Sequence, residues 1–386
     1  MPLIQIGFAT RLAGLYVALF VLSGVQLPFF PLWLKAKGLD AGMIGLVLAV
    51  PMVVRVLAIP FAAREADRRH ALRTALVVAS VASALGYALL GFAQGGLAIV
   101  LAYALVSLVY TPVLPLAETY ALKGLAARGR AYGPVRLWGS AAFILGSFVA
   151  GFAADAFAAQ SLIWLIVVAS LCMALAALTL APLGATPHPS GTAAPARKPL
   201  LRDGLFLGVV AGGSLIQASH AVYYAFSALA WRGAGLDGPA IAGLWALGVI
   251  AEIVLFALQA RLPAFVTPQV LLAIGALGGV LRWGAMALGP PVAALPFLQL
   301  LHAATFGATH LGALTFIARH APHGQSATAQ GYYAIANGAA MAAATGLSGW
   351  LYGSFGNTAY AAMALAAIVG GGCCLIANMT RRVAVT

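Results

Sequence analysis

The stretch AYGPVRLWGSAAFILGS, residues 131–147, decides how this chain folds, because it leads from a basic loop directly into a long apolar segment. Arg136 stands where the apolar segment begins, and Glu118 lies inside the preceding apolar segment. A single charge near the centre of a bilayer costs about 2.5–3.5 kcal/mol, so a membrane protein keeps such a pair for packing or for handling a polar solute. We interpret the pair as handling a solute.

The composition excludes a soluble domain. The chain has 386 residues, of which 63% are hydrophobic and only 8% are charged, whereas soluble domains are about 25% charged. With about 20 apolar residues per span and short loops, this length fits about twelve transmembrane helices. The segments are continuously apolar, whereas β-barrel strands alternate over about ten residues. The sequence therefore predicts an all-α membrane protein with twelve transmembrane helices.

The apolar pattern places the spans, which are numbered here in chain order. We expect them at residues 8–32, 42–63, 74–93, 97–120, 136–157, 161–181, 203–230, 239–260, 268–288, 292–318, 328–351 and 359–379. The first span is too long for a signal-peptide core and precedes no small-residue cleavage site, so it is interpreted as structure. Proline interrupts spans one, two and four, either as cavity-lining kinks or as tolerated curvature.

The formal net charge of +13 indicates membrane topology rather than nucleic acid binding. Three basic residues lie on the side opposite the termini: Lys35, Lys37 and Arg232. The other basic residues of the loops and termini lie on the side of the termini: Arg64, Arg68, Arg69, Arg73, Lys123, Arg128, Arg130, Arg197, Lys198, Arg261, Arg319, Arg381 and Arg382. The positive-inside rule therefore predicts that both termini are cytoplasmic.

A polar stretch rich in proline, alanine and glycine divides the chain in the middle. We interpret residues 182–202 as a flexible or extended cytoplasmic linker between two six-span bundles, residues 1–181 and 203–386. This 6+6 layout is typical of parallel-repeat transporters, whose solute site lies between the halves near the bilayer midplane.

Enzymatic and ATP-driven functions have no support in the motifs. The chain has no P-loop, no nucleophile motif and no metal-ligand spacing around its three cysteines, so neither a metal site nor a bound cofactor is expected. A membrane enzyme based on His302 and His310 is the weaker alternative.

Several polar residues are predicted at membrane depth, where such side chains face a bundle interior or a watery cavity and pair with one another. They are Arg55, Glu118, Arg136, Glu252, Arg282, His302 and His310. The planar fork of Arg136 suits a carboxylate or vicinal hydroxyls, and Glu118 can neutralise it when the site is empty. A permanent structural ion pair is the alternative. Arg55 could pair across the halves or line a cytoplasmic pathway.

The second half carries an acid, a histidine and an arginine on spans eight to ten. Glu252, Arg282 and His302 have the composition of a proton relay, because burial and a nearby cation poise a carboxylate to exchange a proton. A polar network that fixes helix register is the alternative. On span seven, His220, Tyr223 and Tyr224 could form a wall against a flat apolar solute.

Five ordered motifs carry a resemblance to a known family. They are YGPVRLWGSAAFILGS (132–147), QASHAVYYAFSALAW (217–231), LWALGVIAEIVLFAL (244–258), GVLRWGAMA (279–287) and LQLLHAATFGATHLGAL (298–314). With them the chain resembles the 3-phenylpropionate (hydrocinnamate) transporters of the major facilitator superfamily, over essentially its whole length. The loop with Asp67 and Arg68 is similar to the acidic–basic loop after span two of that superfamily, with alanine where its pattern has glycine.

The polar residues also resemble those of the lactose permease-type proton symporters. There, acids and bases in the places of Glu118 and Arg136 hold the solute, and those matching Glu252, Arg282 and His302 serve proton coupling. Those symporters have a glutamate where this chain has Thr305. The resemblance therefore implies that Glu252 or His302 takes over as the proton carrier.

We therefore expect a secondary transporter that imports a small aromatic carboxylate with a proton, as a monomer in a bacterial inner membrane. Partners are the substrate, protons and the bilayer. Substrate contacts are expected from Gln26, Glu118, Arg136, Trp138, Phe143, His220, Tyr223 and Tyr224, and gating from Arg55, Asp67 and Arg68. The rivals are a symporter of a neutral sugar or nucleoside, and an exporter of drugs or metabolites.

Overall fold

The computed structural model describes residues 7–69, 71–183, 200–322 and 325–385, and within them all regular structure is helical. Most of the predicted linker, with Arg197 and Lys198, lies outside these residues. The division into 1–181, 182–202 and 203–386 stays a prediction.

The chain forms two compact units. The first comprises Met1–His188 with Trp231–Gly243, and the second comprises Pro189–Ala230 with Leu244–Thr386. The helices of the first half of the chain are α1 (Phe8–Ala36), α2 (Ala41–Arg68), α3 (Leu72–Phe92), α4 (Gly96–Tyr110), α5 (Val113–Ala126), α6 (Gly133–Ala156) and α7 (Leu162–Leu178). Those of the second half are α8 (Gly204–Ala218), α9 (Ala221–Gly233), α10 (Gly238–Leu258), α11 (Pro268–Ala287), α12 (Leu295–Leu300), α13 (Thr309–His320), α14 (Ser326–Phe355) and α15 (Tyr360–Val385).

The helices have the length and apolarity that a bilayer requires. Eleven stretches of the described residues qualify as spans, and the last, Thr328–Ala377, contains most of both α14 and α15. These two helices are separated by a turn at Gly356–Ala359, where Gly356 has φ 55°. The expected twelve spans are therefore consistent with the structure, and the predicted all-α membrane class is confirmed.

The helix is interrupted in three spans, namely the fourth, the seventh and the tenth. Of these, only the fourth is among the spans in which a proline predicts an interruption. The fourth span breaks at Thr111–Pro112, between α4 and α5. The first continues as α1 through Pro28 and Pro31, so those prolines do not end the helix. The seventh breaks at Ser219–His220, between α8 and α9, without a proline.

The tenth span contains a π-helix at Ala303–Ala308, between α12 and α13. A π-helix inserts one wide turn into an α-helix and is frequent at functional sites. It carries Thr305 and begins one residue after His302.

In the first unit, α1 is the central helix and packs on α6 and α7. A Cβ built on Gly24 would lie 2.2 Å from the carbonyl oxygen of Phe143, and one on Gly146 would lie 2.4 Å from that of Val21. The two backbones therefore touch, and the Ser147 hydroxyl lies 3.2 Å from the Gly24 carbonyl. Small residues permit such close approach in membranes, where packing rather than water exclusion holds helices together.

In the second unit, α8 has the corresponding place and packs on α14 and α15. A Cβ on Gly212 would lie 2.4 Å from the Gly370 carbonyl oxygen of α15. Phe206 and Val209 of α8 form an apolar core with Phe316 of α13. Each unit thus contains one glycine-bearing helix that packs closely against two neighbouring helices.

Candidate functional site

The first unit brings the predicted acid and base together. Nε of Arg136 lies 4.0 Å from Oε1 of Glu118, and the two side chains are 29% and 42% exposed. This separation is longer than a hydrogen bond, so the carboxylate balances the positive charge without occupying that donor at close range. The geometry suits an arginine whose partner can be exchanged.

Aromatic rings fix the position of Arg136. Its guanidinium carbon lies 4.2 Å from the centre of the Phe20 ring and 5.7 Å from that of Tyr16, both on α1. A cation over an aromatic face is attracted by the ring quadrupole. Gly139, one turn along α6, leaves room for this arrangement, because a Cβ there would lie 2.8 Å from Nη1 of Arg136 and from Phe20.

The other binding residues predicted in the first half lie apart from this pair. Gln26 is buried, donates from Nε2 to the Tyr103 hydroxyl (2.7 Å) and accepts at Oε1 from the Tyr87 hydroxyl (2.9 Å). Phe143 is buried where α1 meets α6. Trp138 is exposed, and it lies about 200° around the helix from Arg136.

The predicted gating residues lie on α2. Arg55 is half-buried, and no carboxylate of the described chain lies within 4.0 Å of its guanidinium nitrogens. Arg68 donates to Glu65 from Nε at 2.9 Å and from Nη2 at 2.8 Å. Asp67 lies 3.6 Å from Nζ of Lys123, which connects the end of α2 to α5.

The second unit contains a larger polar cluster, the Arg282 network: Gln217, His220, Glu252, Arg282, Gln299, His302 and Thr305. The Arg282 side chain on α11 is completely buried. Nη2 donates to Oε1 of Gln299 at 2.6 Å, and Nη1 lies 3.2 Å from both Nδ1 of His302 and Oγ1 of Thr305. The rings of Tyr223 and Trp283 lie 4.7 Å and 4.6 Å from its guanidinium carbon.

The hydrogen-bond partners of His302 determine which of its ring nitrogens carries a hydrogen. A guanidinium group has only donors, so Nδ1 of His302 accepts from Arg282. In the neutral ring the hydrogen then lies on Nε2, which is 3.5 Å from Oε2 of Glu252. His302 cannot hold a second proton while it accepts from Arg282, whereas Glu252 can be protonated without breaking that bond.

The same reasoning assigns the hydrogen positions of His220 and Thr305. Nδ1 of His220 lies 2.9 Å from the Gln217 carbonyl oxygen, which only accepts, so Nδ1 carries the hydrogen. Nε2 of a neutral His220 then accepts from the Thr305 hydroxyl at 2.9 Å. Thr305 is free to donate there because it accepts from Arg282. Hydrogen bonds therefore run in one direction, from Arg282 through Thr305 and His220 to the Gln217 carbonyl.

The aromatic wall predicted on span seven is part of the same unit. Tyr223 is buried and stacks on Trp245 at 4.7 Å, whereas Tyr224 is half-buried and stacks on His220 at 5.5 Å. His310 stacks on Phe306, as His302 does. Tyr223 and His220 thus form the interior of this unit, and Tyr224 is the more accessible of the three.

Sequence reasoning missed two polar features. Gln299, which holds Arg282, lies three residues before His302, a spacing that places both on one helical face. Asp155 pairs with Arg232, and its Oδ2 accepts from the Gly238 amide at 2.9 Å. In the sequence, Arg232 indicates only membrane topology, and Asp155 ends a span without any motif.

A second ion pair lies at the start of α8. Oδ1 of Asp203 accepts from the amides of Leu205 and Phe206, and Oδ2 lies 2.7 Å from Nε2 of His320. Burial raises the pKa of Asp203, but the hydrogen bonds from His320 and the two amides outweigh it, so the net pKa lies below its usual value.

Within the described residues no group of three or more histidine, cysteine or acidic side chains could hold a metal ion.

Comparison with known proteins connects this geometry to a family. A sequence model of the MFS_1-like family matches residues 9–362. The chain belongs to the MFS_1-like family. It is 34% identical to the "Probable 3-phenylpropionic acid transporter" of Escherichia coli (strain K12), over 92% of this chain and 93% of that protein. It is 27% identical to the "Maltose permease" of Geobacillus stearothermophilus, over 87% of this chain and 86% of that protein.

Solved structures of other transporters share the fold. The nucleoside transporter NupG superposes with a TM-score of 0.81 at 16% identity, covering 96% of this chain and 99% of that one. A bacterial homologue of the human lysosomal transporter Spinster, inward-facing and occupied, gives 0.72 at 16% identity, covering 96% of each chain. The predicted major facilitator fold is therefore confirmed. The chain is a multi-pass membrane transporter, and its relatives are transporters rather than enzymes.

Proposed function

We propose that this transporter imports a small aromatic carboxylate together with a proton, by alternating access. The proton gradient supplies the energy and no cofactor is bound. The chain acts as a monomer in a bacterial inner membrane, with both termini in the cytoplasm. The substrate class follows from the relative named as a probable 3-phenylpropionic acid transporter, which aligns with nearly the whole chain.

Arg136 is the proposed carboxylate-binding residue. Its guanidinium lies against Phe20, and Glu118 stays 4.0 Å away. A substrate carboxylate can therefore replace Glu118 as the counter-ion and form two parallel hydrogen bonds with the guanidinium fork. The ring of the substrate would then be contacted by aromatic side chains, of which Phe20 is a half-buried candidate beside Arg136.

Glu252 is the proposed proton carrier. The observation that carries this proposal is the hydrogen-bond order from Arg282 to His302, which leaves the Nε2 hydrogen of His302 facing Glu252. Glu252 takes up a proton without disturbing Arg282, whereas protonation of His302 would break the bond to Arg282. Loading and release of the proton therefore change the charge at one end of a network that is otherwise fixed.

Uptake into proteoliposomes tests both roles. Wild-type protein should accumulate labelled 3-phenylpropionate when a pH gradient is imposed. Glu252→Gln should lose this accumulation but keep exchange of internal for external substrate, because binding is intact and only the proton step is missing. Glu118→Gln, the matched change at the other intramembrane acid, removes the carboxylate that competes for Arg136, so it should tighten substrate binding and keep the response to the gradient. Accumulation by the Glu252→Gln protein would contradict the assignment.

A neutral sugar is the second candidate substrate, because a maltose permease also aligns with most of the chain. A competition panel of maltose, nucleosides and aromatic acids separates the two candidates. If only the neutral solutes compete, Arg136 binds hydroxyls rather than a carboxylate. Uptake in vesicles of known orientation distinguishes import from export.

A further inference from the structure

A groove of about 640 Å³ lies in the first unit, apart from the Glu118–Arg136 pair. It is bounded by α2, α3 and the break between α4 and α5. Its lining is apolar except for three side chains, Glu65, Arg69 and Thr74. Cavities of a few hundred to about a thousand Å³ are the size that holds an organic ligand.

The polar side chains of the groove lie at one end, where a short loop joins α2 to α3. This loop connects two spans and therefore lies at the membrane surface. The apolar part is lined by residues further into the same spans, such as Leu57, Phe61 and Val78. The ligand that fits is an amphiphile with its head at the surface and its chain along the helices.

The charge at the polar end is positive. Glu65 is shared by two guanidinium groups, those of Arg68 and Arg69, so one negative charge faces two positive charges. Asp67 lies against Lys123 of α5 and so leaves this excess in place. A phosphate group matches the spare donors, because guanidinium and phosphate form paired, charge-assisted hydrogen bonds.

We propose that this groove binds one anionic phospholipid of the surrounding bilayer. An acyl chain lies along Leu57, Phe61 and Val78, and the phosphate is held by Arg69. Basic pockets between transmembrane helices are suited to anionic lipid headgroups. A zwitterionic lipid carries its own positive charge and matches the excess at Arg69 less well.

Native mass spectrometry of the purified full chain, in micelles containing phosphatidylglycerol or phosphatidylcholine, tests the site. Wild-type protein should retain phosphatidylglycerol in preference to phosphatidylcholine. Arg69→Gln should weaken retention about fivefold, the effect expected for one basic residue at a lipid surface. Arg68→Gln is the matched control, because Arg68 pairs with the same Glu65 but does not line the groove. It lowers the positive excess but keeps the contact of Arg69 with the phosphate, so its loss of lipid should be smaller than that of Arg69→Gln.

A second variant tests the apolar part. Ala79→Phe places a ring in the groove and should abolish retention while Arg69 stays in place. Thermal unfolding and elution volume show whether each variant is folded, and the Arg69–Arg68 comparison stands even if Ala79→Phe does not fold. Equal retention of the two lipids, or equal losses in the two arginine variants, would overturn the proposal in favour of diffuse surface attraction.

Discussion

Glu118–Arg136 in the first unit and Glu252–His302–Arg282 in the second use the same residue types in opposite ways. Arg136 is partly exposed, stacked on one ring and 4.0 Å from its carboxylate. Arg282 is completely buried, with its two terminal nitrogens against Gln299, His302 and Thr305. One arginine is placed to change partners, and the other is held in a single arrangement.

The difference shows that burial and hydrogen bonding, rather than residue type, separate a binding arginine from a network arginine. Removing one partner from a buried charged network leaves other polar groups uncompensated, whereas exposed pairs contribute little to stability. Changes at Arg282 should therefore affect stability most strongly. Changes at Arg136 should have little effect on stability but a strong effect on transport.

The largest expected effect is on stability at Arg282. Arg282→Ala should destabilise the protein by about 3 kcal/mol or more, because Gln299, His302 and Thr305 lose a buried donor and each unsatisfied group costs about 1–3 kcal/mol. Arg136→Ala should cost at most about 1 kcal/mol and still abolish uptake. Thermal unfolding of the purified proteins, beside uptake, checks the contrast. Equal destabilisation by the two substitutions would remove the distinction.

Thr305→Val tests the direction of hydrogen bonding in the Arg282 network. Valine can neither accept from Arg282 nor donate to His220, so the change should cost about 1–3 kcal/mol. Thr305→Ser keeps the hydroxyl and should recover most of the loss. If the serine and valine variants unfold at the same temperature, the hydroxyl does not connect the two residues.

Gly139→Ala tests the ring contacts that position Arg136. The added methyl group would lie 2.8 Å from Nη1 of Arg136 and from Phe20, so the guanidinium must move off the ring. The KM for substrate should rise about fivefold, the equivalent of about 1 kcal/mol of cation–π contact. Gly133→Ala, on the same helix with nothing within 4 Å of the new atom, should leave KM unchanged. A similar KM change in both variants would point to the helix rather than to Arg136.

The smallest expected effect concerns Asp203, the N-cap residue of α8, which lies just before the membrane-spanning stretch Gly204–Gly233 of the structure. Its pKa is lower in the folded protein than its usual 3.8, so its stabilising effect is complete above that value. The effect is lost as pH falls further, through the folded pKa. Asp203→Asn keeps the helix cap and should flatten this acid-side loss. Thermal unfolding across the acid range measures it, and an unchanged pH profile would assign the loss to other groups.

The sequence predicted the spans closely because continuous apolarity and charged loops mark them without help from the fold. α1 and α11, for example, begin at Phe8 and Pro268, as the pattern predicted. The interruptions were harder to predict. α1 continues through two prolines, whereas the seventh span breaks at Ser219–His220, where no proline marks the position.

The sequence predicts those residues of the candidate site whose type is rare inside a membrane. Glu118 and Glu252 stand out because acids are scarce at membrane depth, and each lies beside the base expected for it. Gln299 and Asp155 are not predicted, because a neutral amide and an acid at a span end carry no such signal. Trp138 was included for its chemistry and lies on another face of α6. The roles of all these residues remain predictions.

The π-helix at Ala303–Ala308 limits which changes of length the tenth span can accept. It contains one residue more than an α-helical turn, and this extra residue sets the rotation of His302 relative to everything from Thr309 onward. Deleting one residue there would turn His302 by about 100°, while every amino-acid type in the network stayed present. The length of the tenth span is therefore as much a part of this site as its side chains.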